Sequence, residues 1–249
     1  ITTHYHADMV ASSLFSVIHE GGHALYELHT GRELARSNLG TGVSMGIHES
    51  QSRFYENIIG RSRAFCSIIY PWLKEHFAPR LDHVTEDDFY RMINKSEPSL
   101  IRTEADELTY CLHIMVRYEL EKRMFDGSLT AHDLPAEWNR LYKEYLGIDV
   151  PDDRQGVLQD SHWANGNIGY FPSYAIGSAY GAQYLQEMSK DLDVDAVVRS
   201  GDLTPINNWL EDRIWKHGCM KDPVALFESV CGKFDPDCYV AYLEKKFTE

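Results

Sequence analysis

Apolar positions recur at helical spacing along most of the chain, and strict alternation is scarce. Val10, Leu14, Val17, Ile18, Leu25 and Leu28 share one stripe, predicting a helix that Asp8 or an upstream Thr would cap and Gly31 would stop. The stretch from Asn38 to Gly46 is punctuated by glycine and small residues, and predicts a loop with at most a short strand or hairpin. From Ile47 the helical pattern resumes and runs towards Tyr70, ahead of Pro71. Thr85 to Asp88 opens another helix through Phe89 and Met92, with acids well placed in its first turn. A longer helix carries Leu108, Leu112, Met115, Val116 and Leu120 and ends near Gly127. Pro135 suits the first turn of the next, which Gly147 closes. Ala175 to Met188, Thr204 to His217, Pro223 to Val230 and Cys238 to Phe247 complete the series. The pattern therefore reads as all-α, with helices of globular length and no internal repeat.

Composition narrows the partners. The chain has 249 residues and a formal net charge of −14, which argues against nucleic acid or an anionic membrane surface. Cys66, Cys111, Cys219, Cys231 and Cys238 form no C-x-x-C pair, so reduced thiols and a cytoplasmic location are expected. No apolar run approaches the roughly 20 residues of a membrane span, and no secretory signal is read ahead of residue 19. The chain starts on Ile1 rather than Met, as a piece of something longer would.

Candidate chemistry concentrates in His19-Glu20-Gly21-Gly22-His23, an H-E-x-x-H within the first predicted helix. Residues four apart share a helix face, so His19 and His23 project side by side and suit one Zn²⁺ at about 2.0–2.1 Å. Glu20 lies about 100° round the helix, where its carboxylate can reach a water held by such an ion and take its proton. Two adjacent helical glycines each cost roughly 1 kcal/mol against alanine. Close approach of another backbone or of substrate would justify them; a kink would be the plainer cause. Glu49, in the next helix, is a candidate third ligand, and Arg53 and Glu56 follow it at spacings that would orient a carboxylate. Arg102 sits among acids at a helix start and, on the residues alone, reads as a structural ion pair. Gly156–Trp163 and Gly169–Tyr174 cluster glycine and aromatics, with tyrosine hydroxyls available as oxyanion donors.

Five motifs stand in order: H-E-G-G-H, H-E-S-Q-S-R, I-R-T-E-A-D-E-L-T, G-V-L-Q-D-S-H-W and G-Y-F-P-S-Y. Together they resemble the carboxypeptidase Taq family of zinc metallocarboxypeptidases, matching from the start of the chain to about Tyr174. The resemblance implies an almost wholly helical fold with a deep cleft, akin to neurolysin and angiotensin-converting enzyme. It implies His19, His23 and Glu49 as metal ligands, with Zn²⁺ or alternatively Co²⁺, and Glu20 as general base and then acid. It assigns Arg102 to the substrate's terminal carboxylate. It points to His162 with Tyr170 or Tyr174 as oxyanion donors, the two tyrosines fitting equally well, and leaves Gln159 and Trp163 as support. The implied activity is removal of single C-terminal residues from peptides with broad specificity, by a protein that is usually a homodimer. Family chains are about twice this length, so residues 1–249 correspond to the single, mainly helical catalytic portion, with the N-terminal half absent. An endopeptidase or dipeptidyl carboxypeptidase with the same site, or an inactive helical fragment with a structural metal, are the alternatives.

Overall fold

The computed structural model describes residues 1–3 and 9–248, and every regular element among them is helical. In chain order these are α1 (Val10–Leu28), α2 (Met45–Arg53), α3 (Arg63–His76), α4 (Glu86–Ile93), α5 (Glu107–Phe125), α6 (Leu134–Leu146), α7 (Pro172–Met188), α8 (Val194–Ser200), α9 (Thr204–Arg213), α10 (Pro223–Cys231) and α11 (Asp237–Thr248). A π-helical turn, Phe54–Ile59, continues α2. Two compact units divide the chain: residues 1–94 with 176–249, and residues 95–175. Among the described residues no helix is long and apolar enough to cross a membrane.

Capping explains most helix starts. The Ser44 and Ser62 hydroxyls accept from the Ile47 and Phe65 amides, and Asp106 accepts from Leu108 and Thr109. Thr85 and Asp88 form a reciprocal capping box, in line with the acid-rich start expected there. Gly147 ends α6 at φ +73°, the left-handed conformation that makes glycine a good stop. Of the expected caps of α1, Asp8 or an upstream Thr, Asp8 lies outside the described residues, and Met9 precedes that helix with no side-chain cap bond.

Residues 38–46 are the expected loop, without strand or hairpin; they run as turns into the Ser44 cap, glycine and short polar residues favouring tight bends over a paired edge. Two sequence expectations are corrected. The helix expected from Ile47 to Tyr70 is two helices, broken after the π turn at residues 60–62. Pro71 does not end α3, which runs on to His76. Tyr70 and Leu73 on either side of it pack with Cys66 and Phe89, and that burial offsets the roughly 3 kcal/mol an interior proline costs.

The first unit's core joins Tyr26 of α1, Ile47 of α2, Phe54 and Ile59 of the π turn, Tyr184 of α7, Trp209 and Leu210 of α9 and Phe227 of α10. The second unit's larger core lies between α5 (Val116, Leu120) and α6 (Trp138, Leu141, Tyr142).

Candidate active site

Close backbone approach at two glycines holds the first cluster together. A Cβ on Gly22 would stand 2.6 Å from the Gln51 carbonyl oxygen and 2.7 Å from the Ser52 Cα, so α1 and α2 touch backbone to backbone. Gly177 of α7 repeats the device: a Cβ there would be 2.5 Å from the Glu49 Cβ. Close approach is thus the reason for Gly22, whereas a Cβ on Gly21 would meet nothing within 4 Å.

This packing brings His19, His23 and Glu49 together. One ligand atom from each lies within 4.8 Å of the others. Glu49 Oε2 is 3.6 Å from His19 Nε2 and 3.9 Å from His23 Nε2. Four ligands at about 2.0–2.2 Å in a tetrahedron stand roughly 3.3–3.6 Å apart, so the two carboxylate–imidazole gaps are within a few tenths of an ångström of the spacing a divalent ion requires, and side-chain rotation has to close the rest of the set. The donor set, two imidazoles and one carboxylate, suits a first-row metal and leaves a fourth position free. Glu20 follows His19 on α1 and is half-buried.

The outward nitrogens of both histidines are occupied. His19 Nδ1 is 2.9 Å from Glu56 Oε2, which fixes the ring with Nε2 towards the ligand cluster. His23 Nδ1 is 2.8 Å from Nδ1 of His48. Burial lowers the His23 imidazole to about 4 even though Glu49 pulls the other way, so it is neutral, the ligating form, at pH 7. Burial would raise the Glu56 carboxyl, but Arg53, the His19 hydrogen bond and Arg61 outweigh it and hold the group at about 2.

Arg53 and Glu56, which follow Glu49 at spacings that would orient a carboxylate, pair with each other. Arg53 Nη1 donates to Glu56 at 3.2 Å, and the Glu49 carboxylate takes its bond from the Ser52 hydroxyl at 2.9 Å. The wider π turn re-phases the residues after Arg53, which turns Glu56 towards His19.

The second unit holds the other candidates. Arg102 is buried, and its Nε and Nη2 both donate to Asp160 Oδ1, at 3.0 and 2.7 Å, while Nη1 donates to the Tyr110 hydroxyl. Fully buried Arg117 binds the other oxygen, its Nε donating to Asp160 Oδ2 at 2.7 Å. Gln159 ties the group together, accepting from the Arg102 backbone N–H and from Arg117 Nη2. Burial would raise the Asp160 carboxyl; Arg117 and Arg102 hold it below the ordinary range instead. The ion pair read from the residues around Arg102 therefore exists, although its partner is Asp160 rather than an acid beside it in sequence.

Tyr174 lies under the Arg102 guanidinium, 4.8 Å from carbon to ring centroid, and its hydroxyl is 3.1 Å from His162 Nε2. The Tyr170 ring packs 5.4 Å from His162 and 5.3 Å from Tyr174. Burial, followed by the nearby Arg102, lowers the His162 imidazole, so it too is neutral at pH 7. Trp163 donates from Nε1 to Glu121 at 2.7 Å, a packing role.

Sequence reasoning missed Glu27, His48, Arg117 and Asp160. His48 and Asp160 stand inside quoted motifs; Glu27 and Arg117 carry no local signal, because their partners come from other elements.

Comparison with known proteins adds an independent line. The model of the family described as carboxypeptidase Taq (M32) metallopeptidase matches residues 1–247. Carboxypeptidase 1 of Bacillus subtilis is 44% identical over 250 residues, covering 100% of this chain and 50% of its own. The crystal structure of an M32 carboxypeptidase from Deinococcus radiodurans superposes with a TM-score of 0.92 at 40% identity, over 95% of this chain and 48% of that one. Trypanosoma cruzi metallocarboxypeptidase 1 gives 0.95 at 38% identity, over 100% and 51%. The chain spans about half the length of the relatives it matches.

Proposed function

Because the chain belongs to the carboxypeptidase Taq (M32) metallopeptidase family, we propose that it carries the catalytic portion of a metal-dependent carboxypeptidase that removes the C-terminal residue of peptides with broad specificity. The observation that carries this reading is the His19–His23–Glu49 donor set beside a half-buried Glu20. A divalent ion, Zn²⁺ with Co²⁺ as the alternative, supplies Lewis acidity towards the scissile carbonyl and towards water when bound. His19 and His23 would hold it through their Nε2 atoms, and Glu49 would add a carboxylate oxygen.

Glu20 is assigned the proton work. Its carboxylate takes a proton from the attacking water and returns it to the leaving amine as the peptide bond breaks. His162 and a tyrosine donate to the oxygen that gains negative charge. The hydrogen bond between His162 and Tyr174 supports Tyr174 in that role over Tyr170, because both groups of the pair already meet at one point. Arg102 is assigned to the substrate's terminal carboxylate, with Asp160 fixing the guanidinium plane and its always-charged fork suited to a carboxylate. A clamp on a free carboxylate is what separates an exopeptidase from an endopeptidase using the same metal chemistry.

In the proposed setting the working protein is a cytoplasmic homodimer acting on peptides with a free C-terminus. Mass spectrometry of an unstructured peptide incubated with the Zn²⁺-loaded protein tests the activity. Stepwise loss of single C-terminal residues is the expected ladder. Internal cuts, or losses of two residues at a time, would replace the proposal with endopeptidase or dipeptidyl carboxypeptidase activity.

A further inference from the structure

Beyond the ligands, we propose that His48 and Glu27 are positioning residues that fix the tautomer of His23 and so keep its Nε2 lone pair directed at the metal. The inference rests on the metal-site reading above. Its geometry is a three-link chain: His23 Nδ1 is 2.8 Å from His48 Nδ1, and His48 Nε2 is 2.7 Å from Glu27 Oε1.

Hydrogen-bond bookkeeping gives the chain one direction. Glu27 is an anion: burial would raise its pKa, but the Gly42 N–H, His48 and Thr41 reverse that and hold it below the ordinary range. A carboxylate only accepts, so His48 Nε2 must carry the proton across a 2.7 Å contact. The 2.8 Å contact between the two Nδ1 atoms holds a single proton, and a His23 that turns an Nε2 lone pair to a metal carries its own on Nδ1, so His48 Nδ1 accepts. His23 Nδ1 must therefore be its donor, and a neutral His23 with its proton on Nδ1 has a free lone pair on Nε2. The reverse order would set the bare Nε2 of His48 against a carboxylate oxygen and place a proton on His23 Nε2, where a metal has to bind.

The surroundings hold each link in place. The Thr41 hydroxyl reaches both Glu27 oxygens at 2.9 and 3.0 Å, and the Gly42 N–H donates to Oε1 at 2.9 Å. The His48 ring lies between Tyr26 and His23, with centroids 5.0 and 4.9 Å away, so it has little freedom to turn. His19 reaches the same end by a direct bond to Glu56. At His23 the Nδ1 partner is His48, which relays the Glu27 carboxylate to it.

Two measurements test the proposal. Nitrogen-15 spectra of the imidazoles in the metal-free protein should show His48 protonated on Nε2 and His23 on Nδ1; the opposite assignment for either ring overturns it. Zn²⁺ affinity against a competing chelator should fall about 10- to 100-fold in His48→Phe and Glu27→Ala. His48→Asn, whose Oδ1 stands where Nδ1 was and can accept from His23, should recover most of that loss. Equal affinities for wild type and His48→Phe would overturn the proposal, as would equal losses for Phe and Asn. If the wild-type protein failed to bind Zn²⁺ while the spectra matched, the metal reading would fail and the tautomer assignment would stand.

Discussion

A Cβ added to Gly22 would lie 2.6 Å from the carbonyl oxygen of Gln51, inside any permitted contact distance. That single close approach lets the H-E-x-x-H helix settle onto α2, and it sets His23 against the face that carries Glu49. The ligand cluster is therefore a product of backbone packing as much as of ligand identity.

The two neighbouring glycines should consequently behave in opposite ways. Gly22→Ala must push α1 and α2 apart, at a cost of about 1–3 kcal/mol and with weakened metal binding. Gly21→Ala meets open space and removes a poor helix former, so stability should stay level or rise by up to about 1 kcal/mol. Thermal melts of the two variants with and without Zn²⁺ check this, and similar losses for both would contradict the packing argument.

Glu20→Gln keeps the side chain's volume and removes its basic oxygen. Metal content should persist while peptide turnover falls about 100- to 10,000-fold, the range for losing a general base. Unchanged turnover would remove Glu20 from the proton-transfer role.

Arg102→Ala should abolish discrimination more than it abolishes chemistry. The ratio of turnover on a free-acid peptide to that on the matching C-terminal amide should fall about 100-fold, the order expected for one charge-assisted, two-pronged contact. Because Arg102 shares Asp160 with Arg117, the variant leaves that carboxylate one cationic partner, and the fold should survive. An unchanged ratio would return Arg102 to a purely structural ion pair.

Much of this was legible in the sequence, and the limits have physical causes. The helix stripes, the Thr85 and Gly147 boundaries and the side-by-side histidines follow from local periodicity and capping, which need no tertiary information. Glu49 was one of many glutamates until the motif order singled it out. Glu27, His48, Arg117 and Asp160 act through partners far away in sequence, such as the 43-residue separation of Arg117 and Asp160, and no period reports such a pair. The π turn hid Glu56 for a related reason: one widened turn shifts the phase of everything after it. Pro71 shows tertiary burial overriding a local rule.

Acid should destabilise the second unit through His113, which is fully buried with Nδ1 3.1 Å from the Tyr142 hydroxyl. Burial, reinforced by Arg117 and Arg102, lowers its imidazole to about 3. The folded value lies below the unfolded value of about 6.5, so the unfolded chain takes up the proton first. Stability is unaffected above that pH and declines as pH falls from about 6.5 towards 3, by at most about 1.4 kcal/mol per pH unit. His113→Gln should gain on the wild type over that window in denaturant titrations at successive pH values. Parallel curves would contradict the assignment.

Elemental analysis of the purified protein and its Glu49→Ala variant tests the central claim most directly. Wild-type protein should carry close to one divalent ion per chain, with the variant losing most of it at unchanged helix content. A wild-type chain that binds no divalent ion, or a variant that binds as well as the wild type, would contradict the metal centre on which the proposed hydrolysis depends.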